Sequence, residues 1–190
     1  MRDRADQRLE NLLGALSLAI SDEIADAAAT ASGLGDAASA ALVVLHESGR
    51  GRSIDYLRQM VGLTHSGAVR LVDRLVEAGH VERGIGHDAR SIGLQLTRRG
   101  ADTARRIRAA RRESAVQTLA TLDDADRATL TRLCEVMLAN LTEQKMRRRD
   151  AGDQPSGGAL CRLCDFASCG RADGRCPTAQ TAAAHVARER

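Results

Sequence analysis

GLTHSGAVRLVDRLVEAGHVERGIGHDARSIGLQLTRRG, residues 62–100, is the stretch that decides the fold. Its first part has apolar side chains at helical spacing, between an N-cap candidate at Thr64 and a helix stop at Gly79. The period then changes: residues 81–83 suit a short strand, and in residues 92–96 apolar and small or polar side chains alternate. The stretch therefore predicts a helix followed by a small β-hairpin.

Three more helices are predicted before this stretch. A long amphipathic helix carries the stripe Leu9, Leu13, Leu16, Ile20, Ile24 and Ala27 and fades at Gly33. A second helix runs from about Asp36 to Ser48, and a third from the N-cap candidate Ser53 to Gly62. Two short helices joined by Gly62 and Leu63 form a helix-turn-helix pattern, and with the hairpin they predict a winged helix.

Two helices are also predicted after the hairpin. Thr97 caps an arginine-rich helix that reaches about Leu119, and a further helix opens near Asp123 and fades at Arg149. The apolar stripe of this last helix is Leu130, Leu133, Met137 and Leu141. Beyond it we expect a glycine-containing linker, a short cysteine-rich module and a polar, alanine-rich tail.

Composition agrees with a mainly α fold. The chain has one tyrosine, one phenylalanine and no tryptophan in 190 residues, so its core must consist of aliphatic side chains between helices. The net charge is only +3, so the overall charge does not by itself indicate a nucleic-acid partner. The sequence shows neither an apolar run of membrane-spanning length nor a signal peptide, so we expect a cytoplasmic protein without a membrane partner.

Several motifs within residues 62–100 resemble the MarR family of bacterial transcription regulators. They are Gly62-Leu63-Thr64, residues 69–75 (VRLVDRL), residues 78–83 (AGHVER), Asp88-Ala89-Arg90 and residues 94–100 (LQLTRRG). The resemblance covers about residues 5–147 and implies an obligate homodimer of winged helices that binds near-palindromic operator double-stranded DNA. The resemblance implies a dimerisation helix at 1–35, a winged helix-turn-helix at 36–100 and dimerisation helices at 101–149. Beyond these, the residues themselves predict a linker at 150–160, a four-cysteine module at 161–177 and a tail at 178–190.

A helix inserted in the major groove reaches base edges with its N-terminal residues, which singles out residues 64–74. We assign His65, Ser66 and Arg70 to the groove and Arg74 to a phosphate, and we include Thr64, at the start of the helix, among the DNA-binding residues. The alternative is that Arg70 and Arg74 only solvate the helix and pair with Asp73 or Glu77.

The predicted hairpin supplies a second set of DNA contacts. Arg90 at its tip is the candidate for the minor groove, and Asp88 is placed to hold Arg90 or the hairpin, because a carboxylate facing phosphate is repelled. Arg98 and Arg99, beside the hairpin, are candidates for phosphate contacts. The alternative for Asp88 and Arg90 is an ordinary surface ion pair.

Four of the five cysteines are packed into sixteen residues near the C-terminus. Cys161, Cys164, Cys169 and Cys176 have the spacing Cys-x2-Cys-x4-Cys-x6-Cys-Pro, which is outside the MarR pattern. In a cytosolic protein, this density of thiols favours a four-ligand metal site over disulfides. Cys134, on an amphipathic helix, is interpreted as a core residue.

The metal is left open by the sequence. The all-cysteine ligand set and the Cys-Pro ending resemble bacterial ferredoxins and favour an iron–sulfur cluster, whereas the Cys-x2-Cys-x4 start resembles a zinc knuckle. A similar placement of four cysteines after the dimerisation helix is found in redox-sensing regulators of the MerR family.

The sequence contains none of the common enzyme motifs, so we do not expect an enzyme. The resemblance to the MarR family implies a transcription regulator, with repression the expected activity. The metal module is predicted to report redox state or iron. Two alternatives remain: a ligand-responsive regulator with a structural zinc site and a small-molecule effector, and an electron-transfer or RNA-binding metal module.

Overall fold

The computed structural model describes residues 4–86, 92–153 and 157–189, and it is mainly helical with one antiparallel hairpin, as predicted. The described elements are α1 (Arg4–Ser32), α2 (Asp36–Ser48), α3 (Ile54–Val61), α4 (His65–Glu77), β1 (Val81–Ile85), β2 (Ile92–Leu96), α5 (Arg98–Thr118), α6 (Asp124–Asp150) and α7 (Pro177–Arg188). The order up to α6 matches the sequence prediction, and α7 was not predicted.

Side-chain caps explain where several helices begin. The hydroxyls of Ser53, Thr64 and Thr97 each accept a hydrogen bond from the backbone N–H three residues later, at 3.1, 3.1 and 3.0 Å. Such caps satisfy N–H groups that the first helical turn leaves unpaired. These three caps were predicted from sequence and are confirmed. Asp123 caps α6 in the same way, at 2.8 Å from the N–H of Asp126.

The hydrophobic core is centred on α2, in which residues 39–45 are all buried. This helix packs against α1, α3, α5 and β2. Its neighbours contribute aliphatic side chains such as Leu57, Val72, Leu94 and Ile107, each at most 1% exposed. The near absence of aromatic residues therefore agrees with a core of Leu, Val, Ile and Ala packed between helices.

The hairpin is fixed to the rest of the domain through its second strand. β1 and β2 pair from Val81 with Leu96 to Ile85 with Ile92, so β1 is two residues longer than predicted. Leu94 also exchanges backbone hydrogen bonds with the segment before α3, donating to Arg52 and accepting from Gly51 at 2.8 and 3.1 Å. A side chain at Gly93 would place its Cβ 2.6 Å from the Cα of Gly51, so this close approach requires glycine.

Helices α1 and α6 carry apolar side chains that are exposed in the single chain. On α1 these are Leu9, Leu12, Leu13, Leu16 and Leu18, and on α6 Leu133, Val136, Met137, Leu138 and Leu141, all 37–69% exposed. Apolar patches of this kind mark interaction surfaces.

No single helix among the described residues is long and apolar enough to cross a membrane. Helices α1 and α2, which are bent by 78° at the break between them, have the necessary length and composition only as a pair.

The C-terminal residues predicted to form a tail instead form α7, which packs on α6. Pro177 stands at the start of this helix, where its missing N–H costs nothing, and alanines fill its body. The predicted linker also differs, because α6 extends to Asp150 and residues 157–159 contact the winged helix. Residues 154–156 of that linker lie outside the described residues.

His185 holds α7 to α6 between two carboxylates. Its Nε2 lies 2.5 Å from Asp150 and its Nδ1 3.4 Å from Glu143, which also accepts two hydrogen bonds from Arg188 and one from Arg147. The hydrogen bond with Asp150, and to a smaller extent Glu143, raises the pKa of His185 above its ordinary value against the effect of burial. The protonated imidazole is thus the form that stabilises this contact.

We expect the packing of α7 on α6 to weaken as pH rises. When folding raises the pKa of a group, that group stabilises the folded state. Its stabilising free energy is fully present below the pKa of the unfolded state and is lost as the pH rises through the pKa of the folded state. Hydrogen exchange of α7 amides, corrected for intrinsic rates, should therefore be slower near pH 6 than near pH 9. Buried α2 amides serve as the internal reference. In a His185→Gln variant the pH dependence should disappear; if it persists, another group controls the contact.

Candidate nucleic-acid interface and cysteine module

Helix α4 has the position of a recognition helix, because it follows α3 after a tight turn. Gly62 makes this turn in the left-handed conformation, with φ 78°, and donates to the carbonyl of Arg58. One face of α4 is buried through Ala68, Leu71, Val72 and Leu75. The sequence-predicted DNA contacts Thr64, His65, Ser66, Arg70 and Arg74 are all exposed. The fold thus presents them together on the outer face of one helix.

The two arginines of α4 are available for an external partner. Asp73, one of the carboxylates considered for pairing with them, instead binds Arg83 on β1 at 2.6 Å. Neither Arg70 nor Arg74 forms an ion pair within the part of the chain that the structure describes, and Arg74 contacts the carbonyl of Arg70 at 3.4 Å. An exposed cation without an opposing carboxylate is suited to bind phosphate or base acceptors.

Two further predicted contacts lie on another helix. Arg98 and Arg99 are exposed at the start of α5, directly after β2. Arg99 also lowers the pKa of buried His80, second to desolvation of that imidazole. Asp88 and Arg90, predicted at the tip of the wing, lie outside the described residues, so their roles stay predictions.

Tyr56 joins the start of α3 to the end of α2. Its hydroxyl is 2.7 Å from the hydroxyl of Ser48 at the end of α2. The guanidinium of Arg52 lies 4.9 Å from the ring centroid, in a cation–π contact, and donates to the carbonyl of Ser48 at 2.9 Å. This small cluster fixes the segment that also pairs with β2.

The four C-terminal cysteines lie in one loop, residues 161–176. None of the five cysteines forms a disulfide in the described chain. Cys161 and Cys176 are buried, and the thiols of Cys164 and Cys176 and the hydroxyl of Thr178 lie within hydrogen-bonding reach of the Cys161 sulfur. Cys169 is in turn within reach of Cys176. Residues fifteen positions apart in sequence are thus brought side by side.

Hydrogen bonding among these cysteines favours the thiolate form of one of them, Cys161. The hydrogen bond from Cys164 lowers the pKa of Cys161 to about 6, with smaller contributions from Thr178 and Arg171. The same bond, together with burial, raises the pKa of Cys164, and burial raises the pKa of Cys169 to about 11. Thiolate is the form of cysteine that binds soft metals, and metal binding displaces the remaining protons.

The described side-chain positions do not by themselves define a metal site. No group of three or more His, Cys, Asp or Glu side chains in residues 4–86, 92–153 and 157–189 has an arrangement that could hold a metal ion. The four-cysteine centre predicted from sequence therefore stays a proposal, supported by the proximity of the thiols.

The cysteine module docks on the winged helix through residues that the sequence did not single out. Arg108 of α5 pairs with Glu47 of α2 at 3.0 Å and also with Asp165 of the module. Glu47 additionally accepts from the N–H of Phe166 at 2.8 Å. Glu47 and Phe166 are 119 positions apart, so no local sequence signal could have revealed their contact.

A second docking contact lies at the helix-turn-helix. The N–H of Ala159 donates to the carbonyl of Met60, at the end of α3, across 2.7 Å. Gly158, the preceding residue, also lies against this end of α3, and its carbonyl accepts from Lys145 of α6. Residues 157–159 therefore connect the turn of the helix-turn-helix with α6.

Residues 32–91, about a third of the chain, match the family model described as "MarR family". Members of this family are DNA-binding transcription regulators and not enzymes. The cysteine module lies beyond the matched residues. No curated protein matches the chain.

Solved structures share the fold. A MarR family protein from Bacillus stearothermophilus has a TM-score of 0.66 at 21% identity, covering 75% of this chain and 99% of its own. RV1404 from Mycobacterium tuberculosis has a TM-score of 0.60 at 25% identity, covering 72% and 94%. The M. tuberculosis MarR family protein Rv2887, solved in complex with DNA, has a TM-score of 0.54 at 23% identity, covering 68% and 96%. The chain thus has the winged-helix fold of MarR proteins.

Proposed function

We propose that the protein is a homodimeric, DNA-binding transcription regulator of the MarR type that acts as a repressor in the cytoplasm. The observation that carries this proposal is the outer face of α4, where Arg70 and Arg74 are exposed and form no ion pair within the described residues. A helix with such a face suits the major groove of DNA. The match of residues 32–91 to the MarR model and the similarity to Rv2887, solved with DNA, support this assignment.

The homodimer is supported by the exposed apolar faces of α1 and α6. Side chains such as Leu16 and Val136 are 49% and 60% exposed in the single chain. A second copy that covers both helices would bury these side chains and place two recognition helices for a two-fold symmetric site.

We also propose that Cys161, Cys164, Cys169 and Cys176 together bind one metal centre, an iron–sulfur cluster in preference to zinc, which reports redox state or iron. Four free thiols within one loop, two of them buried, support this assignment. Thiolate ligands suit both centres, and the all-cysteine set with a Cys-Pro ending favours the cluster.

Arg70→Ala should weaken binding to the specific operator by about 1 to 3 kcal/mol and affect random DNA much less, because a base-edge contact discriminates between sequences. Arg74→Ala is the matched comparison. A lost phosphate contact should weaken specific and random binding alike and lower the slope of log affinity against log salt by about one. Fluorescence anisotropy over several salt concentrations measures both effects.

The operator for this test is a duplex that the full chain selects from a random-sequence pool. Failure to enrich any duplex contradicts the proposed function. If Arg70→Ala weakens binding to specific and random DNA equally, Arg70 contacts a phosphate and not a base. If neither variant changes the affinity, α4 is not part of the DNA interface.

A further inference from the structure

The cysteine loop is tied to the winged helix at points immediately next to its cysteines. Ala159, which donates to Met60 at the end of α3, stands two residues before Cys161. Phe166, which donates to Glu47 near the end of α2, stands two residues after Cys164. Leu163, between these two points, packs against the hydrophobic core. The backbone positions of these two cysteines are therefore set by the same contacts that join the loop to α2 and α3.

Arg108 joins the loop to the domain by charge. Its guanidinium binds Glu47 and Asp165 at once, and the side chains of Arg108 and Glu47 are only 21% and 9% exposed. Charges at this depth are screened little by salt, and removal of one partner leaves the others incompletely compensated. The position of Asp165, next to Cys164, is thus coupled to the packing of α5 on α2.

Backbone packing joins the loop to the helix-turn-helix. A Cβ on Gly158 would lie 2.2 Å from the carbonyl oxygen of Met60, and a Cβ on Gly62 would lie 2.3 Å from the nitrogen of Gly158. Gly62 is the residue in left-handed conformation between α3 and α4. Close-packed backbone cannot move independently, so a displacement of residues 157–159 reaches the turn that positions the recognition helix.

We propose that metal binding to the four cysteines strengthens DNA binding by seating the cysteine loop on this docking surface, formed by Glu47, Met60, Gly62 and Arg108. The inference rests on the proposed function and specifies how the metal centre regulates it. Four thiolates bound to one centre order residues 159–176, and the seated loop holds the α3–α4 turn against α5 and, through Lys145, against α6. Without the metal, DNA binding must also order these residues.

The exposure of the recognition helix agrees with this direction of the effect. With the loop seated, His65, Ser66 and Arg70 are exposed, so the docked conformation leaves the predicted DNA-contacting face of α4 accessible. Because the seated loop also orders the turn that positions this helix, metal and DNA are expected to favour the same conformation. By thermodynamic reciprocity, DNA must then raise metal affinity by the same factor that metal raises DNA affinity.

The test compares DNA affinity of metal-loaded and chelator-stripped full-length protein, purified anaerobically and kept reduced, on a duplex selected by the loaded wild type. Stripping should weaken wild-type binding about tenfold, within the usual range of allosteric coupling. It should also speed amide exchange at residues 60–63. Gly158→Ala, which inserts a Cβ against the Met60 carbonyl, and Arg108→Leu should keep full metal content and lose most of the tenfold difference.

Arg105→Leu is the matched control, because Arg105 lies on the same helix but pairs with Asp102 at the surface. This variant should keep the tenfold response. Loss of the response in either docking variant with full metal content supports the proposal. Wild-type affinity that is unchanged or increased by stripping overturns it, and so does a full response in both docking variants. A wild type without bound metal contradicts the proposed metal centre itself, and the inference with it.

Discussion

Replacement of Cys161, Cys164, Cys169 or Cys176 by serine should each remove nearly all metal from the protein. Three thiolates leave one coordination position open, and a serine oxygen replaces a thiolate poorly in both zinc and iron–sulfur centres. Elemental analysis of anaerobically purified protein should give about one centre per chain in the wild type and close to none in each variant.

Cys134→Ser is the matched control, because Cys134 lies on α6, outside the cysteine loop. Its metal content should equal that of the wild type. Retention of metal in two or more of the four loop variants would show that the ligand set is wrong. Visible absorption then separates the two centres, because a cluster is coloured and zinc is not. If the protein is colourless, contains zinc and binds DNA with an affinity that does not depend on redox state, the metal site has a structural role only.

The double variant Leu13→Glu and Leu16→Glu should turn the dimer into a monomer. Both leucines are on the first half of α1, where residues 4–19 are exposed, so they support no packing within the chain. In a dimer interface, two buried carboxylates without partners cost several kcal/mol, by the order of magnitude measured for unpaired buried charges. Mass determination in solution should show half the wild-type mass, and DNA affinity should fall because two half-sites are no longer bound together.

Leu18→Glu is the control for this variant. Leu18 is 69% exposed but lies on the face of α1 opposite to Leu13 and Leu16, because successive helical residues are about 100° apart. It should leave the dimer intact. A dimeric double variant, or an equal loss of the dimer with Leu18→Glu, would contradict the assignment of this face to the interface.

Local signals in the sequence explain why most helix boundaries were predicted correctly. Ser53, Thr64 and Thr97 each combine a capping hydroxyl with a following apolar period, and the structure shows all three caps. Gly62 and Gly79 mark helix ends because each adopts a positive φ there. These features act within a few residues, so sequence reasoning can detect them.

The C-terminal quarter was predicted less well because non-local contacts determine it. The docking of the cysteine loop depends on Arg108 and Glu47, which are surface-type residues in sequence and gain their role only from the fold. Helix α7 has a detectable sequence signal, Pro177 followed by an alanine-rich segment, but the polar composition of these residues favours a tail. The metal and the tip of the wing stay predictions.

The near absence of aromatic residues gives the molecule a convenient optical property. With no tryptophan, one tyrosine and one weakly emitting phenylalanine, its intrinsic fluorescence comes almost entirely from Tyr56, in the cluster with Ser48 and Arg52. A change at the junction of α2 and α3 should therefore alter the whole intrinsic fluorescence, without any added label. A coloured cluster in the nearby loop would quench that emission in proportion to its occupancy, so one titration in a fluorimeter could follow cofactor loading and the recognition domain together.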